Sequence, residues 1–196
     1  QTISRLGSNF ITLTGTNPTI NVESNGGLRI NSPISGGSGF IKTGSGPLIL
    51  SASSNYSGST ILRSGELRIA TDTALGNSTL VLSGGEFSSA DTNSRSITNP
   101  ITLAGNVTLS DAVNYGYIAL NGNITVAANS TITLAAGAVQ DYPIFGQING
   151  TGFNLTTAGG YAFRFLSATP GNFNGIFALT SGSVVEIGPW GSGTPN

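Results

Sequence analysis

Between Phe40 and Phe87 the chain reads FIKTGSGPLILSASSNYSGSTILRSGELRIATDTALGNSTLVLSGGEF, a series of short apolar strands each closed by Gly, Ser, Asn or Thr. The strands return in phase at a near-constant interval. A strand-and-turn unit of that length cannot bury its apolar side alone, so it must stack on its neighbours. This period constrains the fold more than any other feature, and it points to a solenoid.

The repeat extends beyond that stretch. GGLRI at Gly26–Ile30 returns as GELRI at Gly65–Ile69, two turns later. Leu28, Leu48, Leu67, Phe87 and Val107 open successive strands at almost equal intervals. ITLAGNVTL at Ile101–Leu109 returns, after a shorter interval, as IALNGNITV at Ile118–Val126. ITLAAGAV at Ile132–Val139 echoes it again, and LSASSNYSG at Leu50–Gly58 reappears as LSATPGNFNG at Leu166–Gly175. No window holds a 3.6-residue period, whereas β-branched residues and alternation dominate. Seventeen short strands are expected, from Ile11–Leu13 to Ser183–Ile187, separated by NG, GG, SG and NP breakers. A period drifting between about 14 and about 20 residues suits coils whose turns vary while their strands stay in register. The expected fold is all-β: a right-handed parallel β-helix of roughly ten coils, on the order of 50 Å long at about 4.8 Å per strand spacing. One such domain is expected over residues 1–188, with 189–196 as a C-terminal loop or linker and no capping helix.

Composition narrows the chemistry. Only 8% of the residues are charged and the net charge is −1, while 38% are hydrophobic, enough for a core. Solubility rests on hydroxyls and amides. No basic patch exists to neutralise phosphates, so nucleic acid is not an expected partner. Cys, His and Met are absent, which removes cysteine nucleophiles, imidazole acid–base catalysis and the usual zinc and copper ligands. No metal or cofactor is expected. No apolar run of about 18 residues is present to insert this segment in a membrane. No signal peptide opens the sequence, so the chain reads as a mature form or a piece of something longer.

The segment Lys42–Gly85 resembles the autotransporter-associated β-strand repeat of passenger-type proteins. It carries K-x-G-x-G, L-x-L-S, N-Y-x-G-x-T, S-G-x-L, ALG and L-x-L-x-G-G in that order. The resemblance is partial over Ile148–Ile187, where INGTGFNL, LSA, NFNG and TSG stand for the same elements. It implies a right-handed parallel β-helix in the secreted passenger region of a bacterial surface protein, hence an extracellular or cell-surface location. It implies a scaffold and no single activity, and it makes Lys42 structural. The chain carries no outer-membrane barrel pattern of long strands with aromatic girdles.

Several residues are candidates for chemistry. Glu66 and Glu86 stand one period apart at matching coil positions, as a carboxylate pair for acid–base or calcium chemistry would. Matching offsets arise anywhere in a solenoid, so exposed strand starts are the preferred reading. Stacked carboxylates repel unless a cation intervenes, and Arg68 is the local partner. Asp91 and Asp111 have the same offset. Polysaccharide lyases on β-helices use clustered Asp for calcium, but scattered Arg and the one Lys give no basic cluster here. Asn25, Asn55, Asn77, Asn106 and Asn123 are expected in the αL conformation at coil corners, their amides stacked in ladders. Several match N-x-[ST], which such an Asn- and Thr-rich chain produces by chance.

Aromatics gather in the C-terminal half. Tyr161, Phe163 and Phe165 alternate and so share a face. Two readings stand: an aromatic core stack, or, together with Phe173 and Trp190, an exposed platform for surface glycans or another protein. Solenoid ends expose unpaired strand edges that a polar or helical unit normally covers. Without one, neighbouring repeats or another copy of the chain is the expected partner, giving open head-to-tail addition. The leading functional expectation is a structural or adhesive extracellular rod that self-assembles into a fibre, not an enzyme. The alternative is a carbohydrate-binding or polysaccharide-cleaving β-helix using the aromatic face and the Asp/Glu positions.

Overall fold

The structure, a computed structural model, describes residues 10–110, 116–135, 142–144, 146–159, 162–165, 167, 171–180 and 183–187. Every described strand pairs in parallel with strands about one coil away in sequence, and no helix occurs among the described residues. Three sheets run along a common axis. Sheet 1 stacks Thr19–Asn21, Phe40–Thr43, Thr60–Leu62, Leu80–Leu82, Ile101–Leu103, Ile124–Val126, Ile148–Thr151 and Phe173–Asn174. Sheet 2 stacks Leu28–Ile30, Pro47–Leu50, Glu66–Ile69, Glu86–Ser89, Val107–Ser110, Ser130–Leu134, Leu155–Ala158 and Phe177–Leu179. Sheet 3 holds Arg95–Ile97, Ile118–Leu120, Tyr142–Ile144, Ala162–Phe165 and Val184–Ile187, and the pair Ile11–Thr12 with Ile34–Ser35 occupies the same side of the first coils.

The chain alternates between sheets 1 and 2 and, where a third strand is present, crosses sheet 3 before returning to sheet 1, so each circuit is one coil; the coils that begin at Phe40 and Thr60 return from sheet 2 to sheet 1 without a strand on the third side. Eight rungs in sheets 1 and 2 make about seven turns. The expected ten coils count the short echo after Ile101 as a turn. In the structure Ile101 pairs with Ile124, not Ile118, and Ile118 lies on sheet 3 beside Arg95. The echo therefore moves the chain from one face to the next within a coil. True coils are longer than that echo, and they lengthen along the chain: Leu48 pairs with Leu67, whereas Val107 pairs with the more distant Ile132. The Leu28, Leu48, Leu67, Phe87 column holds as expected, but its next member is Leu109 in place of Val107. Extra residues after Ser89, including the strand Arg95–Ile97, lengthen that circuit.

Strand alternation decides what goes inside. Leu48, Leu67, Phe87, Leu109 and Leu134 form one inward column of sheet 2, with Leu50 and Ile69 beside it; all are buried. Sheet 1 contributes Leu62, Leu82, Leu103 and Val126, and sheet 3 contributes Ile97 and Leu120. Like side chains stack at one strand spacing, so a single continuous core runs the length of the described coils. Each fully buried Leu contributes on the order of 2 kcal/mol.

The corner between sheets 1 and 2 has a steric requirement. Gly44, Gly65 and Gly85 occupy it in successive coils at φ of 75°, 69° and 77°. A Cβ on Gly65 would lie 2.1 Å from the Gly44 carbonyl oxygen. Glycine alone permits both the left-handed backbone and this approach.

Candidate functional site

The passenger-type motifs each occupy a defined place in the coil. Lys42 stands at an inward position of sheet 1, in register between Ile20 and Leu62, and is fully buried. A lysine there needs acceptors for its ammonium. Its Nζ turns to the glycine corner and donates to the carbonyl oxygens of Thr43 and Gly44, each at 2.8 Å, and of Ser64 at 3.2 Å. The first two belong to its own corner and the third to the corner of the next coil. Burial pushes the Lys42 amine below the usual lysine range, opposed by the charge of Glu66. With all three donor directions occupied, Lys42 is a tie between coils and offers no free amine for base chemistry.

The N-Y-x-G-x-T element builds a buried polar relay. Tyr56 is fully buried and tilted against Phe40, with ring centroids 5.9 Å apart. Its hydroxyl shares a 2.5 Å hydrogen bond with the Thr60 hydroxyl, which bonds the Ser78 hydroxyl at 2.9 Å. This relay lets Thr60 occupy an inward column between Phe40 and Leu80. Asn99, from the N-P pair, closes the next coil by donating Nδ2 to the carbonyl oxygens of Ser78 at 2.8 Å and Gly76 at 3.0 Å. Burial raises the Tyr56 phenol to about 12, although its hydrogen bonds to Thr60 and Ser78 act in the opposite sense.

Glu66 and Glu86 are direct register partners on the outer side of sheet 2. The column continues through Thr108 to Thr133. Arg68 Nη2 donates to Glu66 Oε2 at 2.6 Å, and the Ser88 hydroxyl donates to Glu66 Oε1 at 2.9 Å. Glu86 Oε1 accepts from the Ser110 hydroxyl. The hydrogen bond to Glu66 raises the Arg68 guanidinium pKa; burial opposes it, and the charges of Glu66 and Glu86 add to it. One arginine thus offsets the carboxylate repulsion, the local partnership expected from the sequence. Above this column an open groove of about 470 Å³ is lined by Ser45, Gly65, Glu66, Gly85, Glu86, Asn106, Val107, Thr108 and Thr133.

Of the other aspartate pair, the structure describes Asp91 alone. Asp91 takes both carboxylate oxygens to Arg95 Nη2, at 2.5 and 2.6 Å, and accepts from the Asn93 N–H at 2.9 Å. Burial pushes the Asp91 carboxyl up, but the Asn93 hydrogen bonds and the Arg95 charge outweigh it and hold the group below the usual carboxylate range. It closes its own loop. Asp111 lies outside the described residues. Among the described residues no group of three or more His, Cys, Asp or Glu side chains converges to hold a metal ion, and no helix is long and apolar enough to cross a membrane.

Phe163 and Phe165 do not stand on an exposed face. Phe163 is fully buried and Phe165 nearly so; they stack at 6.4 Å, and Phe177 meets Phe165 edge-on at 5.1 Å. Phe173 is half-buried against the same core. Phe163 and Phe165 point inward because the core of this coil needs bulk there, which is the core-stack reading. Tyr161 and Trp190 lie outside the described residues.

The asparagines form ladders of another kind. Their side-chain oxygens accept backbone N–H groups of the next coil: Asn106 from Thr131 at 2.9 Å, Asn123 from Gln147 at 3.3 Å, Asn129 from Asn154 at 2.8 Å, Asn149 from Asn172 at 3.0 Å and Asn154 from Ile176 at 3.2 Å. Among the described non-glycine residues only Asn17 has a positive φ. The αL expectation therefore fails for Asn25, Asn55, Asn77, Asn106 and Asn123. Corner glycines take the left-handed turns, leaving Asn free to cap the neighbouring coil.

Residues 40–69 match the family model described as the passenger-associated-transport-repeat. The match covers the Lys42 tie, Tyr56, Thr60 and Glu66, and it bears out the passenger-type resemblance over that stretch. No curated protein and no solved structure matches the chain.

Proposed function

We propose that the chain is a non-catalytic, right-handed β-helical rod in the extracellular passenger region of a bacterial surface or secreted protein. What supports this reading is the use of its polar residues. Lys42, Tyr56, Thr60 and Asn99 are all engaged in joining coils, and Asp91 with Arg95 closes a loop. Side chains that an enzyme would keep available are spent on holding one coil to the next.

The rod lengthens by coil-on-coil stacking, onto adjacent repeats or copies of the chain, and so serves as a stiff adhesive or fibrous spacer. Leu179 favours this reading. It shares the inward column of Ile132 and Thr157, which are buried, yet it is 53% exposed in the last described rung of sheet 2. Ile176 nearby is 64% exposed. An added coil would cover both and gain roughly 25 cal/mol per Å² of apolar surface.

Sedimentation velocity and negative-stain microscopy of the purified chain test the proposal together. Elongated particles whose length grows with concentration, and which L179D reduces to single rods, are the expected result. Compact particles at every concentration would end the fibre reading. Turnover of a polysaccharide by the purified chain would end the non-catalytic one.

A further inference from the structure

The groove above sheet 2 is left unexplained by the coil-joining role. It follows the rod axis. Ser45, Gly65 with Glu66, Gly85 with Glu86, Asn106 with Thr108, and Thr133 come from five successive coils, a span of about 19 Å at four strand spacings. Its floor at Gly65 and Gly85 carries no side chains, for the steric reason given for that corner. Its wall is the register column Glu66, Glu86, Thr108, Thr133.

From this geometry we infer a binding site for a linear, uncharged glycan lying along the rod, non-covalently held. Three observations select that ligand class. The first is pitch: the column presents one hydrogen-bonding side chain per strand spacing, about 4.8 Å. A pyranose ring linked through equatorial bonds advances by close to one such step. An extended peptide advances about 3.3 Å per residue and falls out of step within two coils. The second is charge: the lining residues include two carboxylates and no cation; Arg68 beside Glu66 balances one of them, and the remaining negative charge disfavours uronic-acid and phosphate polymers. The third is donor–acceptor balance. Glu66 and Glu86 each use lone pairs on Arg68, Ser88 or Ser110, which fixes the carboxylates in place while leaving capacity for sugar hydroxyl donors. Thr108, Thr133, Ser45 and Asn106 can both donate and accept. The site is independent of Phe163 and Phe165, which are in the core.

Isothermal titration of the full chain with cellohexaose, mannohexaose, hexagalacturonate and a Lys-rich decapeptide tests the inference. The expected result is saturable binding of at least one neutral hexaose and none of hexagalacturonate. E86Q should weaken the neutral hexaose about tenfold. T133V, a near-isosteric change at an outward position of sheet 2, should weaken it several-fold with melting temperature unchanged, so a folding defect in E86Q cannot decide the matter. Absence of binding to both neutral hexaoses, or binding that neither E86Q nor T133V alters, overturns the proposal. Preferential binding of the Lys-rich peptide overturns it in favour of a cationic polypeptide.

Discussion

The ammonium of Lys42 reaches across a coil boundary to the Ser64 carbonyl oxygen, 3.2 Å away. A residue whose charge would ordinarily keep it at the surface thereby becomes an interior fastener. K42M keeps the aliphatic bulk and leaves the carbonyls of Thr43, Gly44 and Ser64 without that donor. A loss of about 1–3 kcal/mol is expected, read as a lowered midpoint in urea unfolding.

The buried Lys42 and Tyr56 respond to alkali in opposite directions. The folded-state pKa of Lys42 lies below its unfolded value of 10.5. The unfolded chain then binds more protons in that window, and stability rises with pH as the pH approaches 10.5. The Tyr56 phenol is raised from 10.0 to about 12. The folded chain holds that proton longer, so stability falls as pH climbs between those values, by up to about 1.4 kcal/mol per pH unit. Thermal melts of wild type, K42M and Y56F from mildly to strongly alkaline buffer separate the two contributions. K42M should lose the upward slope and Y56F the downward one.

Corner glycines are not interchangeable with glycines elsewhere. G65A places a methyl group against the Gly44 carbonyl at a φ of 69° and should cost about 1–3 kcal/mol or more. G37A meets nothing within 4 Å and should leave the unfolding free energy within about 0.5 kcal/mol of wild type. Equal effects in the two variants would contradict the corner geometry.

The inward column of sheet 2 should respond to truncation at its middle. Leu67 is fully buried between Leu48 and Phe87. L67A is expected to cost about 2–5 kcal/mol, measurable by denaturant unfolding with an unchanged m-value.

The amide ladder makes a local prediction. Asn129 supplies the acceptor for the Asn154 N–H, so N129A should speed hydrogen exchange at Asn154 while leaving Asn172, capped by Asn149, unaffected. N129D keeps an acceptor oxygen and should restore protection.

Much of the architecture was legible because repeated residues share a structural position. Leu28, Leu48 and Leu67 are spaced in sequence as they stack in space. Spacing alone could not say which face an echo belongs to, so Ile101 and Ile118 looked like successive rungs when they occupy different sheets. Short strands with a single apolar residue, such as Arg95–Ile97, carry too little alternation to be seen. The pairing of Glu66 with Glu86 followed from their offset. Inward and outward did not: alternation groups Phe163 with Phe165, but only packing from the other sheets decides that this face is the core. Lys42 gave no composition-level sign of its burial, since the acceptors that permit it come from turns on two coils.

The asparagine caps share a sense that affects the whole rod. In each, the side-chain oxygen belongs to the earlier coil and the N–H to the later one. The axis is therefore chemically directional, like a zipper whose teeth all lean one way. A coil joining on the carboxyl-terminal side of these asparagines finds acceptors already set, whereas one joining on the other side must bring its own. Any assembly built through these contacts should consequently be polar, with unlike ends and a preferred direction of growth.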